Sequence, residues 1–328
     1  MLPLLRERFP DSKITLLLRK YAAGLIEGNP YVDEIMLYDD GEQEIPFPRM
    51  LKSVREGSFD IAIVVRPIPR LAWLMFRAGI PLRIGTGYRY YSLLFNERVY
   101  EHRKDARRHE VEYNLNLLKP VGCFLKGEPQ FMLTVPPEVE TRVDALFDSM
   151  SLEKGKEIVI LHPGTGGSAK EWPPESFGRL AARLQSERGS RILVTGTRGE
   201  EEKISRVVHL SGGKAVSLAG MLTLKELGAV IRRADLFVSN STGPLHLAVA
   251  VGTPVVAMFP QIAPMSAGRW GPYTARKKVL VPDRPPDCRK CAGRNDDQCE
   301  CMRSITVDAV YDAAGSLLAW KTESVPHV

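Results

Sequence analysis

"VSNSTGPLHLAVAVGTPVVAMF", residues 238–259, decides how the chain is read. An apolar approach over 234–238 ends in Ser239, Asn240, Ser241, Thr242, Gly243 and Pro244. A helix-like run follows, then Gly252-Thr253-Pro254 and a β-branched strand. Small hydroxyl residues, an Asn and a Gly at a change from strand to helix put free N–H groups at a helix N-terminus. The positive end of the helix dipole stands behind them, so the junction suits an anion. Ser241 or Thr242 is placed to cap that helix, and Pro244 fits its first turn. His246 faces the same mouth or packs as an ordinary helix histidine; both readings stay open here.

A second junction of the same kind lies upstream in "LHPGTGGSAKEWPPESF", 161–177. An apolar strand runs into Gly164-Thr165-Gly166-Gly167-Ser168, then Lys170, then a helix beginning near Pro173-Pro174. Glycines let backbone N–H groups approach an anion, hydroxyls add donors, and Lys170 supplies a point charge. The Lys stands well beyond the glycines, so this is no P-loop. Between the two junctions, "TGTRGEEEK" (195–203) is a third strand end with acidic residues at a helix start. Glu200 there either accepts from ribose hydroxyls or only caps the helix.

The pattern extends along the whole chain. "KITLLL" (13–18), "DEIMLY" (33–38), "DIAIVV" (60–65), "IVILHPG" (158–164), "RILVTG" (191–196), "ADLFVS" (234–239) and "TPVVAMF" (253–259) read as buried strands. Amphipathic stretches such as 174–188 and 224–234 lie between them. Strands apolar on both faces, alternating with helices, predict parallel sheets covered by helices, an α/β fold. Ligands of such open sheets bind at the carboxyl ends of the strands, so the three junctions predict one nucleotide diphosphate site. Pro136-Pro137 and Lys154-Gly155-Lys156 mark a boundary, giving domains of 1–150 and 151–328 with the last helix able to pack back on the first.

The totals agree with a soluble, cytoplasmic protein: 328 residues, 44% apolar, 26% charged, and no apolar run long enough to span a membrane. "MLPLLRERFPDSK" is too short and too charged for a secretory signal. Residues 66–109 carry ten Lys/Arg against three Asp/Glu, the whole of the net +6 excess. Such a patch attracts an anionic partner or is simply a solvated face. No recognition helix or RNA-binding signature accompanies it, which argues against nucleic acid. Cys288, Cys291, Cys299 and Cys301 crowd one loop. They could hold zinc, but Cys-X-Cys is a tight second pair, and no metal or other cofactor is expected.

From these motifs ("HPG…K.WP…F", "SNSTGP.H.A…GTP" and the late "C..C…C.CM"), the chain resembles the family 9 glycosyltransferases, among them the ADP-heptose:lipopolysaccharide heptosyltransferases. The resemblance implies a GT-B enzyme, two Rossmann-like domains facing across a cleft, with the donor in the second. It implies inverting transfer of a heptose or related sugar from an ADP-sugar to the lipopolysaccharide inner core. Carried over, Lys170 meets the donor phosphate or sugar, Thr165 and Gly166 line the same pocket, and Glu200 holds the ribose. Ser241, Thr242 and Gly243 meet the diphosphate with His246 beside them, and Leu222 lies near the adenine. The basic segment would meet a phosphorylated glycolipid acceptor through Arg83, Tyr88, Arg89, Arg107 and Arg108, with peripheral inner-membrane contact a further expectation.

Two departures qualify the resemblance. Ser241 stands where many heptosyltransferases have Asp. The chain also opens inside a helix, without the first strand and Gly-Asp loop that hold the family's proposed base. A first domain without its central strand, of low stability, and little or no turnover are therefore expected. Two alternatives remain: a member that binds nucleotide-sugar but is catalytically impaired, and another GT-B activity such as a sugar-nucleotide epimerase.

Overall fold

The computed structural model describes residues 1–150, 155–283 and 300–323, the last four of these as backbone only. It divides into two compact units, Met1–Gln130 and Phe131–Val328. The division falls before the helix Pro137–Ser149, not after it at 150 as the sequence suggests. That helix goes with the second unit because Arg142 pairs with Glu226, and Arg233 with Glu140 and Asp144.

The first unit runs α1 (Leu2–Arg8), β1 (Thr15–Leu18), α2 (Lys20–Ile26), β2 (Glu34–Leu37), α3 (Phe47–Glu56), β3 (Ile61–Ile63), α4 (Pro69–Ala78), β4 (Leu82–Thr86), β5 (Glu97–Val99) and α5 (Glu110–Asn116). Its strands pair in parallel as two separate sheets, β1-β2 and β3-β4-β5. One apolar cluster joins them: Leu17 and Met36 from the first sheet, Ala62 from the second and Val64 just past β3 pack with Met50, Val54, Ala72 and Met75 of α3 and α4. On the other side of the larger sheet, Leu4 and Leu5 of α1 pack with Ile61, Ile63 and Ile84. Despite their apolar sequences, no residue of β1 or β3 is fully buried.

In the second unit α6 (Pro137–Ser149) leads into β6 (Ile158–His162), α7 (Pro174–Arg188), β7 (Arg191–Val194), α8 (Glu201–Leu210), β8 (Val216–Ser217), α9 (Leu224–Arg232), β9 (Leu236–Asn240), α10 (Gly243–Ala250), β10 (Val255–Met258), α11 (Ala267–Trp270), β11 (Lys277–Leu280), α12 (Glu300–Arg303) and α13 (Val307–Glu323). All six strands are parallel, in the order β11-β10-β9-β6-β7-β8. This is the doubly wound Rossmann order, reversing between β6 and β9. Val159, Leu161, Leu236 and Val238 bury one face under α7, α8 and α13, with Trp172, Phe177 and Leu184 filling the layer. Every residue of β9 is buried, as parallel strands covered on both faces require.

Candidate functional site

β6 and β9 are neighbours, and their last paired residues are His162 and Ser239. Both junctions singled out in the sequence therefore leave the sheet side by side, at the point where the strand order reverses. Open α/β sheets bind ligands in this crevice. A cavity of about 390 Å³ lies there. Ser168 and Ala169 of the β6 loop form one wall, and Ser241, Thr242, Gly243 and His246 at the start of α10 form another. Pro264, Met265 and Trp270 close the third. No periodic or compositional signal marks that third wall in the sequence. Trp270 sits 6.5 Å from His246, ring centre to ring centre.

Thr242 is the N-cap residue of α10 but its side chain makes no capping bond, and Pro244 stands in the first turn. The helix start is thus not closed off by its own cap. A Cβ placed on Gly243 would meet no atom within 4 Å, so the backbone here is open on the cavity side.

The β6 loop is held by a buried network. Thr165 donates through its N–H (3.0 Å) and its hydroxyl (2.8 Å) to Glu171 Oε1, while Lys203 of α8 pairs with the other carboxylate oxygen. Glu171 carries no sequence signal beyond its place after Lys170. Gly166 and Gly167 take positive φ, 56° and 78°, which glycine adopts without strain. Gly164 lies so close to Glu200 that a Cβ would fall 1.9 Å from Oε1. Asn240 anchors the loop to β9: its Oδ1 accepts from Trp172 N–H (2.8 Å) and its Nδ2 donates to Pro163 O (2.7 Å). The Trp172 indole N–H in turn donates to Ile305 O at 2.7 Å.

Glu200 does cap: Thr197 donates N–H and hydroxyl to Oε2, both at 2.9 Å, and Gly166 N–H reaches Oε1 at 3.2 Å. Burial pushes its carboxyl up, but the bonds from Thr197 and Gly166 outweigh that and hold it below the usual range. A carboxylate offers about four acceptor positions, so a hydroxyl can still be taken. His162 is buried beside it, its Nδ1 2.9 Å from Thr195 Oγ1. Burial depresses the imidazole to about 4, which Glu200 opposes and Lys203 assists, so the ring is neutral.

Of the donor-side candidates, Ser241, Thr242, Gly243 and His246 line the cavity. Lys170 is buried next to the lining residue Ala169. Thr165, Gly166 and Glu200 form the loop's support, and Leu222, half-buried just before α9, is not on the cavity wall. Among the acceptor-side candidates, Arg83 is committed to structure: its guanidinium donates to Leu94 O at 2.8 Å and to Ile80 O. Tyr88 stacks on His102 with ring centres 3.9 Å apart. Arg108 pairs with Glu101 at 3.0 Å, and Arg89 and Arg107 are exposed. Cys288, Cys291 and Cys299 lie outside the described residues; Cys301 is half-buried against the core.

Comparison with known proteins agrees with this architecture. The model of glycosyltransferase family 9 (heptosyltransferase) matches residues 48–298. A Haemophilus influenzae protein described as a glycosyltransferase, with no sugar named, is 26% identical over 287 residues, 85% of this chain and 82% of that protein. Lipopolysaccharide heptosyltransferase 2 of Salmonella typhimurium is 29% identical over 288 residues, 84% and 81% of the two chains. The structure of the E. coli ADP-heptose lps heptosyltransferase II superposes with a TM-score of 0.74 at 22% identity, covering 98% of this chain and 94% of that one. The two parallel α/β units are those of the GT-B fold. The chain belongs to glycosyltransferase family 9 and is a glycosyltransferase.

Proposed function

We propose that the protein transfers a heptose or a closely related sugar from an ADP-sugar to the inner core of lipopolysaccharide, with inversion. The observation that carries this reading is the cavity at the β6/β9 crevice, walled by an uncapped helix start and a glycine-rich loop. In sugar transfer from a nucleotide-sugar, the anomeric C–O bond breaks and negative charge collects on the departing diphosphate. Backbone N–H groups and a helix dipole already aimed at that charge lower the barrier without having to reorganise. Ser241, Thr242 and Gly243 take the diphosphate, Lys170 adds positive charge at the loop, and Glu200 accepts from the ribose. His246 and Trp270 flank the sugar side. The names of the relatives support heptose and lipopolysaccharide as the substrates.

A second reading, donor binding with impaired turnover, is favoured by one observation: the described residues lining the cavity include no carboxylate to act as base. One experiment addresses both. Calorimetric titration with ADP, ADP-heptose and UDP-sugars should show binding that prefers the adenine nucleotides and weakens at least about tenfold in Lys170→Ala, the loss expected for one charge-assisted contact. Lipopolysaccharide lacking heptose is then the acceptor for a turnover assay. Binding with turnover supports the transferase, and binding without it supports the second reading. No binding of any nucleotide to the folded protein sinks both.

A further inference from the structure

We propose that the outer face of α4, with the 3-10 turn Tyr90–Leu94 beside it, is a docking surface for an anionic lipid bilayer. Ala72, Leu74 and Met75 bury the inner face of α4 in the core of the first unit. Trp73 and Phe76 turn outward, 43% and 45% exposed, with ring centres 5.7 Å apart. Leu93 and Tyr90 on the neighbouring turn are 77% and 82% exposed. Large apolar side chains grouped on neighbouring water-facing elements mark an interaction site. Arg83 links the two elements: it lies over the Phe76 ring at 5.5 Å and donates to the carbonyl of Leu94, next to Leu93.

The charge around the patch selects the partner. Arg77 lies over Trp73 at 5.6 Å, so each outward ring carries a guanidinium against it. The Arg83 guanidinium donates to backbone carbonyls, which orient its charge without neutralising it. Residues 66–109, which include all of these groups, hold ten basic against three acidic residues. Aromatic and aliphatic side chains ringed by arginine match the boundary between acyl chains and anionic headgroups. A second copy of the chain would bring the same positive charge against itself.

The test uses the full chain and sedimented vesicles. Wild type should bind vesicles of phosphatidylethanolamine with phosphatidylglycerol, bind pure phosphatidylcholine weakly, and lose much of its binding at high salt. The double variant Trp73→Glu/Phe76→Glu, and separately Leu93→Glu, should each bind the anionic vesicles about tenfold more weakly or worse. Cooperative thermal unfolding checks that both remain folded, and the exposure of Leu93 makes its substitution the safer of the two. The proposal is overturned if wild type ignores the anionic vesicles or if both folded variants bind them as wild type does. It is equally overturned if wild type dimerises through this face, losing the dimer in the variants, without binding lipid.

Discussion

Adjacent residues at the end of β9 have opposite expected effects. Asn240 spends both ends of its amide on buried backbone groups of Pro163 and Trp172. Asn240→Ala leaves those groups unpaired and should cost about 3 kcal/mol, since each buried orphan costs roughly 1–3. Ser239 is fully buried and, among the described residues, its hydroxyl has no hydrogen-bond partner. Ser239→Ala should therefore be neutral or slightly stabilising, and urea denaturation of the two variants measures the contrast. His162 gives a pH signature. Its folded value of about 4 lies below the 6.5 of an exposed imidazole, so within that window the unfolded chain takes a proton that the folded chain refuses. Stability should fall as pH drops from 6.5 to 4, by up to about 3 kcal/mol, and His162→Gln should flatten that slope in denaturation curves. Composition could mark Asn240 as part of a junction, but not its role. A brace across 68 residues of sequence exists only once the strands are paired.

Elements were more legible than contacts. The apolar runs predict β6, β7, β9 and β10, and the stretch 174–188 coincides with α7. β4, β5, β8 and β11 carry no such mark: one is two residues long, and Leu82–Thr86 and Lys277–Leu280 mix Arg, Lys and Gly into the strand. The start of α10 was legible because caps and prolines are local chemistry, whereas the Pro264–Trp270 wall depends on where a loop returns. At the helix start, Gly243→Ala meets no neighbour and should leave the melting temperature within about 1 °C of wild type. The added methyl group sits over the open helix terminus, so ADP affinity measured by calorimetry should drop about tenfold if that terminus holds the diphosphate.

Across the whole molecule, the two units differ in how well they are sealed. At the second unit's centre β9 is fully buried and β6 is buried but for Ile158, while β1 and β3 keep every residue partly exposed. Less apolar area removed from water means less stabilisation. Urea unfolding followed by fluorescence and circular dichroism should show two transitions, the first unit melting first. Saturating ADP should shift only the second, by about 2.7 kcal/mol at a hundredfold excess over Kd. A single coincident transition would contradict this. The bond from Trp172 to Ile305 spans 133 residues of sequence. At ribosomal speeds of about 5–20 residues per second, the nascent chain must wait on the order of ten seconds before the segment carrying Ile305 emerges. Through that interval Trp172, fully buried in the finished fold, lacks its last cover, and it is there that a chaperone would find the growing polypeptide.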